Sequence, residues 1–130
     1  MSVLDDIDPE LLANTTATLT TLGPHGDPQM TIVWFIIEDG QVLISAMERR
    51  QKTRNVVADG RCSILLQHPA TANYYVELRG TADLIDDHDY AIADRIGVRY
   101  NADFRRFDGP DDRRKIIAFT PQRAIVTDVR

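Results

Sequence analysis

The chain has almost no cysteine: Cys62 is the single one among 130 residues. One thiol cannot close an internal disulfide, which fits a reducing compartment. No apolar run approaches the roughly 18 residues of a membrane helix, and no charged-plus-apolar leader stands at Met1. A cytoplasmic protein with no membrane partner is therefore expected. The net charge of -5 leaves no broad basic face, so no nucleic-acid partner is expected either. The three histidines, His25, His68 and His88, lie far apart and none has a companion at ligand spacing, so no metal is expected. The sequence lacks a Gly-x-Ser-x-Gly elbow, a P-loop and a Gly-x-Gly-x-x-Gly turn, and it lacks repeats and low-complexity stretches. Asp86, Asp87 and Asp89 form an acidic cluster, but a helix start explains it. Cys62, inside a strand, reads as a small buried hydrophobe. No side chain is assigned a catalytic role.

What is present is one domain's worth of strand signal. At 43% hydrophobic residues, residues 1–130 can build an ordinary core. Asp8 and Pro9 open a short helix ending near Asn14. Thr15–Leu22 reads as a strand, and the Gly23–Pro28 turn leads into a second, Gln29–Ile37. Both faces of Gln29–Ile37 are apolar. One must fill a barrel, and the other needs a helix, a partner or a ligand. Trp34 within it reads as core. After the turn Glu38–Gly40 come a strand from Gln41 to Ala46 and a helix from Gln51, with Gly60 placed as its C-terminal cap. Arg61–His68 and Tyr74–Ile85 read as strands around a loop at Pro69–Asn73, with a bend at Gly80. Asp86 caps a helix through about Tyr100, Asn101–Arg114 reads as loop, and a last strand is broken or bulged at Pro121. The expected fold is mainly β with short helices: about six mostly antiparallel strands closing into a small Greek-key barrel.

The chemistry concentrates between the strand at Gln41–Ala46 and the helix after it. Arg49, Arg50, Lys52 and Arg54 fall within six residues with no acid among them. A helix start favours acids over cations, because it carries the positive end of the macrodipole. An anion bound there resolves the conflict, since free backbone N–H groups and the dipole already form a phosphate site. A solvated basic turn is the alternative. With a phosphate corner, an apolar strand and no acid–base pair, the chain suits a cofactor that carries its own chemistry.

Pro28–Val33, Val42–Ser45, the block Lys52-Thr53-Arg54-Asn55-Val56 and the later Arg79-Gly80-Thr81-Ala82 together resemble the split-barrel flavoprotein superfamily. This is the pyridoxamine 5′-phosphate oxidase-like group, and in particular its deazaflavin-dependent branch. The resemblance runs from Leu11 to the end. It implies a homodimer of six-stranded antiparallel split β-barrels that binds FMN or coenzyme F-420 in a groove at the dimer interface. Arg50 and Lys52 would hold the phosphate, with Thr53 in support. Thr31, Val33, Ser45 and Ala46 would line the ring system. The partner chain would contribute from Asn73–Tyr75, with Tyr75 as the candidate. The chain departs from true pyridoxamine phosphate oxidases at its end, which lacks their substrate-binding Trp and Arg-Leu-x-Pro segment, so that oxidation is not expected. F-420 carries a phosphodiester and an oligoglutamate tail and so needs more cations than FMN, and Arg49, Arg50, Lys52 and Arg54 together favour it.

The leading expectation is therefore an F-420-dependent reductase acting on an unsaturated or quinone-like small molecule. An FMN-dependent oxidoreductase of the same fold, or a non-catalytic carrier of flavin, F-420 or haem, are the alternatives.

Overall fold

A computed structural model describes residues 2–14 and 16–130. Its organising element is one antiparallel sheet of seven strands in the order β2-β1-β5-β6-β7-β4-β3. The strands are β1 (Ala17–Leu22), β2 (Pro28–Val33), β3 (Ile36–Glu38), β4 (Gln41–Met47), β5 (Arg61–His68), β6 (Thr71–Asp86) and β7 (Arg114–Asp128). Among the described residues three α-helices accompany it, α1 (Pro9–Leu12), α2 (Gln51–Ala58) and α3 (Ala91–Tyr100), besides short 3-10 turns. Alternating residues of the strands turn inward, so Leu19, Ile44, Ile64, Leu66, Leu78, Ile117 and Phe119 are fully buried in a common core. The sheet is not closed by hydrogen bonds: its two edges are β2 and β3. These edges are consecutive in the chain, joined by Trp34 and Phe35 alone, which makes the barrel a split one.

The split-barrel expectation holds, but with seven strands rather than six. The continuous strand expected at Gln29–Ile37 is two, because the chain changes sheet neighbour in the middle. β2 pairs with β1, whereas β3 pairs with β4. At the crossing, the Tyr100 hydroxyl accepts from Phe35 N–H at 3.2 Å and donates to the Phe35 carbonyl at 3.3 Å. Arg99 donates to that same carbonyl and to the carbonyl of Asn14. α3 thus satisfies the backbone groups that no ladder reaches.

Other boundaries shift for local reasons. Thr15, expected to open β1, lies outside the described residues. Thr71–Asn73, expected as loop, belongs to β6. α2 ends at Ala58 with Asp59 as its cap. Gly60 serves another purpose, since a Cβ there would stand 2.8 Å from the Ala82 carbonyl. Asp86 does not cap α3; it ends β6 and pairs with Lys115. Asp87 takes the capping role, accepting from Ile92 and Ala93 N–H at 2.9 Å each. A short 3-10 turn, Phe104–Arg106, interrupts the expected loop before β7. The expected irregularity at Pro121 is present as a register shift opposite Arg79 and Gly80. Gly80 is required there: an added Cβ would come within 2.1 Å of the Thr120 carbonyl oxygen. Cys62 is buried, and burial pushes its thiol up to about 11.

Candidate functional site

The β4–α2 corner is built by a small set of polar clips. β4 ends at Met47, and its carbonyl accepts from Arg50 N–H at 3.1 Å and from the Thr53 hydroxyl at 2.7 Å. Glu48 N–H reaches across to the Arg113 carbonyl, which ties the turn to the start of β7. One turn further along α2, the buried Asn55 donates to Thr21 on β1 at 3.0 Å and to Gln29 on β2 at 2.9 Å. A buried amide with its partners met fixes α2 against the sheet. The helix start itself has no side-chain cap and no acid in its first turn. Its leading amides and dipole are thereby left for an external acceptor.

In front of that start lies a cleft of about 610 Å³. Arg50 and Lys52 line it beside Thr31, Ser45 and Ala46, and Arg49 reaches its edge. Burial, and then the charges of Arg50 and Arg114, hold the Lys52 ammonium below its usual range. Among the described residues no acid offsets that burial. The floor carries a second unmet demand. The hydroxyl oxygens of Thr31 and Ser45 are buried and have no hydrogen-bond partner. Buried polar atoms are nearly always paired, so two orphans on one cleft point to a polar ligand edge above them. Cations at a helix start and two unpartnered hydroxyls on the floor fit a phosphate-bearing ring cofactor.

A smaller pocket of about 240 Å³ opens beside this cleft and shares Ile32, Ser45 and Lys52 with it. Val33 lies here, against Trp34, Ile96 and Phe104. Trp34 is not the core residue expected: it is 38% exposed and stacked on Tyr100, ring centroids 4.8 Å apart. It sits at the β2–β3 crossing, where the sheet leaves it uncovered on one side.

The structure divides the cation cluster. Arg54 does not line the cleft in front of the α2 start. It faces a separate groove of about 660 Å³, together with Arg113 and Lys115. Its guanidinium donates to the Arg49 carbonyl at 2.7 Å and to Gln51 at 2.6 Å. Arg49 borders both clefts and pairs with Asp112 at 3.1 Å. The Thr53 hydroxyl is turned to its own backbone, so its support is structural. Tyr75 lies on β6 opposite Thr127, away from these clefts of its own chain. Neighbouring Tyr74 is buried and donates to Asp8 at 2.9 Å, so it packs in its own barrel.

Phe107, Asp108 and Arg114 are among the lining residues that escaped the sequence reading. Arg114 and Asp108 form a half-buried two-pronged ion pair. The run Arg113-Arg114-Lys115 was a visible basic signal, but its partner Asp108 lies in a stretch that reads as plain loop. Among the described residues no three His, Cys, Asp or Glu side chains gather to hold a metal, and no helix is long and apolar enough to cross a membrane.

Comparison with known proteins agrees with this geometry. The family described as pyridoxamine 5′-phosphate oxidase matches residues 3–128. No curated protein matches the sequence significantly. Among solved structures the chain is similar to an F420 reductase, with 25% identity, 92% of this chain and 96% of that chain covered, and a TM-score of 0.80. It is similar in fold to a conserved hypothetical protein of Mycobacterium tuberculosis, with 24% identity, 100% and 86% covered, and a TM-score of 0.80. It is similar in fold also to the heme storage protein of Vibrio cholerae, with 15% identity, 98% and 96% covered, and a TM-score of 0.75. The chain belongs to the pyridoxamine 5′-phosphate oxidase family, whose split-barrel members bind flavin or deazaflavin cofactors.

Proposed function

We propose that the protein is a coenzyme F-420-dependent oxidoreductase that works as a homodimer on an unsaturated or quinone-like small molecule. The observation that carries this reading is the acid-free, uncapped start of α2, with Arg50 and Lys52 facing a cleft whose floor holds two unpartnered hydroxyls. The likeness to an F420 reductase supports the choice of cofactor. Arg50, Lys52 and the α2 amides would hold the phosphate. Thr31 and Ser45 would offer hydrogen bonds to the polar edge of the ring, with Ala46 and Val33 as apolar contacts. Arg49 and Arg54 would meet the oligoglutamate tail, and the partner's Tyr75 would close the groove. Bound there in reduced form, such a cofactor supplies a hydride to the acceptor. The chain's own work is to orient the two reactants and exclude water.

FMN is the second reading, and one observation favours it. Arg54 is spent on its own backbone and Gln51, and Arg49 on Asp112. Arg50 and Lys52 alone suffice for a single phosphate. Titrating the purified protein with each cofactor separates the two. Tight binding of F-420 and acceptor-dependent oxidation of its reduced form is the expected result. Tight binding of FMN with none of F-420 would replace the leading reading by the second.

A further inference from the structure

At the end of β5 away from α2, polar side chains join α1, the β5–β6 turn and the last residues of the chain. β5 ends at His68, and Pro69 and Ala70 make the turn into β6. Pro69 has no N–H to give. The Ala70 N–H donates to His68 Nδ1 at 3.1 Å. A ring nitrogen that accepts carries no proton, so this imidazole is neutral and its hydrogen sits on Nε2. That Nε2–H meets Glu10 Oε2 on α1 at 3.0 Å. The imidazole, 14% exposed, thus spans turn and helix with both nitrogens used. It also lies against the Tyr74 ring, centroids 5.7 Å apart. Past the turn the pairing jumps: Thr71 stands opposite His68, but Tyr75 stands opposite Gln67. Of the residues between, Asn73 donates its N–H to the Thr71 hydroxyl at 3.1 Å and accepts from Val129 N–H at 2.8 Å.

We propose that His68 is a proton-operated latch on the β5–β6 turn: neutral, it closes the turn against α1, and protonated, it releases the turn. A proton on Nδ1 sets two N–H groups against each other, so the Ala70 bond breaks, while the Glu10 bond persists between opposite charges. α1 stays in place, because Leu11 is fully buried in the core and Asp8 keeps its bond from the Tyr74 hydroxyl at 2.9 Å. The charged and titratable groups that face the imidazole are Glu10 and Asp8 on the α1 side and Tyr74 on β6, with Arg130 over the Tyr74 ring and paired to Asp128. The Glu10 N–H first, and then the Tyr74 hydroxyl, hold the Asp8 carboxyl below its usual range. The same bond to Asp8 holds the Tyr74 hydroxyl above its own. Neither group changes charge between pH 5 and 8, the range in which an imidazole ordinarily does. The released segment leads directly into Tyr75. On the shared-groove reading above, the latch therefore weakens cofactor binding in mild acid, but the latch itself does not depend on that reading.

Amide NMR of the full chain between pH 8 and pH 5 tests the latch. The Ala70 amide signal should move with the same midpoint as the His68 ring signals. Its protection against hydrogen exchange, corrected for the pH dependence of free amides, should fall about tenfold across that range, the scale of one lost hydrogen bond. His68→Asn offers the Ala70 N–H a side-chain oxygen but no titrating proton, so both responses should vanish with the turn still closed. Glu10→Gln keeps an acceptor for the Nε2–H and should leave both responses in place. An Ala70 amide that ignores the His68 titration, or that responds in His68→Asn as in the unaltered protein, overturns the proposal. A response lost in Glu10→Gln and kept in His68→Asn also overturns it, because the carboxylate would then be the switch. Affinity for F-420 and FMN at pH 7.5 and pH 5.5 forms a separate arm, in which acid should weaken binding to the unaltered protein more than to His68→Asn. If Ala70 responds as expected while both proteins lose affinity equally, the latch stands and the partner's Tyr75 drops out of the groove.

Discussion

Arg114 grips Asp108 with two parallel bonds, Nε to Oδ2 at 2.8 Å and Nη2 to Oδ1 at 2.7 Å, in the wall of the cleft that Lys52 also lines. The side chains are 10% and 2% exposed. The Tyr90 hydroxyl adds a third bond to Asp108 at 2.7 Å. Arg114 is thereby neutralised and held in place, whereas Lys52 next to it is not. Arg114 first, then Tyr90 and the more distant Arg49, pull the Asp108 carboxyl below its usual range, against the cost of its burial.

Asp108→Asn should therefore leave a half-buried cation without its carboxylate and cost about 1–3 kcal/mol. Urea unfolding at neutral pH checks it. The pH dependence has a definite sign. A depressed carboxyl contributes stability that is fully present above its unfolded value near pH 4 and is lost as pH falls through the lowered folded value. Acid should thus narrow the gap between the unaltered protein and Asp108→Asn. A gap that stays constant down to pH 2 would disprove the pairing.

Lys52 should show the opposite balance. Its folded value is depressed, chiefly by burial and then by Arg50 and Arg114. Between that value and the unfolded value near 10.4, the unfolded chain binds more protons, so this group makes stability rise with pH. Lys52→Met should then stabilise the cofactor-free protein at neutral pH. The same change should weaken a phosphate-bearing cofactor about tenfold to a hundredfold, through loss of a charge-assisted hydrogen bond. Paired measurements of thermal midpoint and cofactor affinity test both halves. Unchanged affinity would leave the basic turn merely solvated.

How far this corner could be foreseen differs residue by residue. The cations and the strand-then-helix order are local, so Gln51 as the helix start and Arg61–His68 as a strand were legible from propensity and spacing. The break between Val33 and Ile36 was not. Met30 through Ile37 continues a strand-like apolar pattern, and the change of partner is imposed from Arg99 and Tyr100, far along the chain. Asp108 was hidden in the same way. Its meaning depends on Tyr90 and Arg114, which only the folded loop brings to it. Arg54 was legible as a cation but not as one directed back to the Arg49 carbonyl.

Thr53→Val tests the clip between β4 and α2. The hydroxyl is buried and donates to the Met47 carbonyl at 2.7 Å. That carbonyl keeps a second partner, Arg50 N–H at 3.1 Å, so it is not orphaned. The cost should then be about 1 kcal/mol rather than the full penalty of an unsatisfied group. Cofactor affinity should fall less than in Lys52→Met, because no charge is removed. A loss as large as that of Lys52→Met would return Thr53 to direct contact with the cofactor.

Gly80→Ala should be far more damaging than its size suggests. The new methyl would lie 2.1 Å from the Thr120 carbonyl oxygen and 3.0 Å from the Pro121 Cα, both backbone atoms of the neighbouring strand. Neither can turn aside as a side chain would, so β6 and β7 must part. A cost of about 3 kcal/mol is expected, the upper range for overpacking. Chemical denaturation measures it, and a loss below about 1 kcal/mol would mean that the bulge at Pro121 yields easily.

The last prediction is a two-fold dimer with shared sites. β2 is an edge strand, and it leaves Met30 and Ile32 67% and 68% exposed. An unpaired edge with large apolar side chains invites pairing with another chain, and contiguous exposed apolar surface marks interfaces. Ile32 also lines both the cleft before α2 and the smaller pocket, so a chain laid over β2 would cover both. Tyr75, which serves neither cleft in its own chain, would then face the partner's. Light scattering should give twice the chain mass, and Ile32→Asp should give monomers that keep the fold. Those monomers should bind cofactor more weakly than the dimer does. Mixing chains altered at Lys52 with chains altered at Tyr75 offers a direct test. Mixed dimers would regain one groove with both residues intact, and with it part of the cofactor binding. Mixtures that bind no better than either variant alone would place each site within one chain.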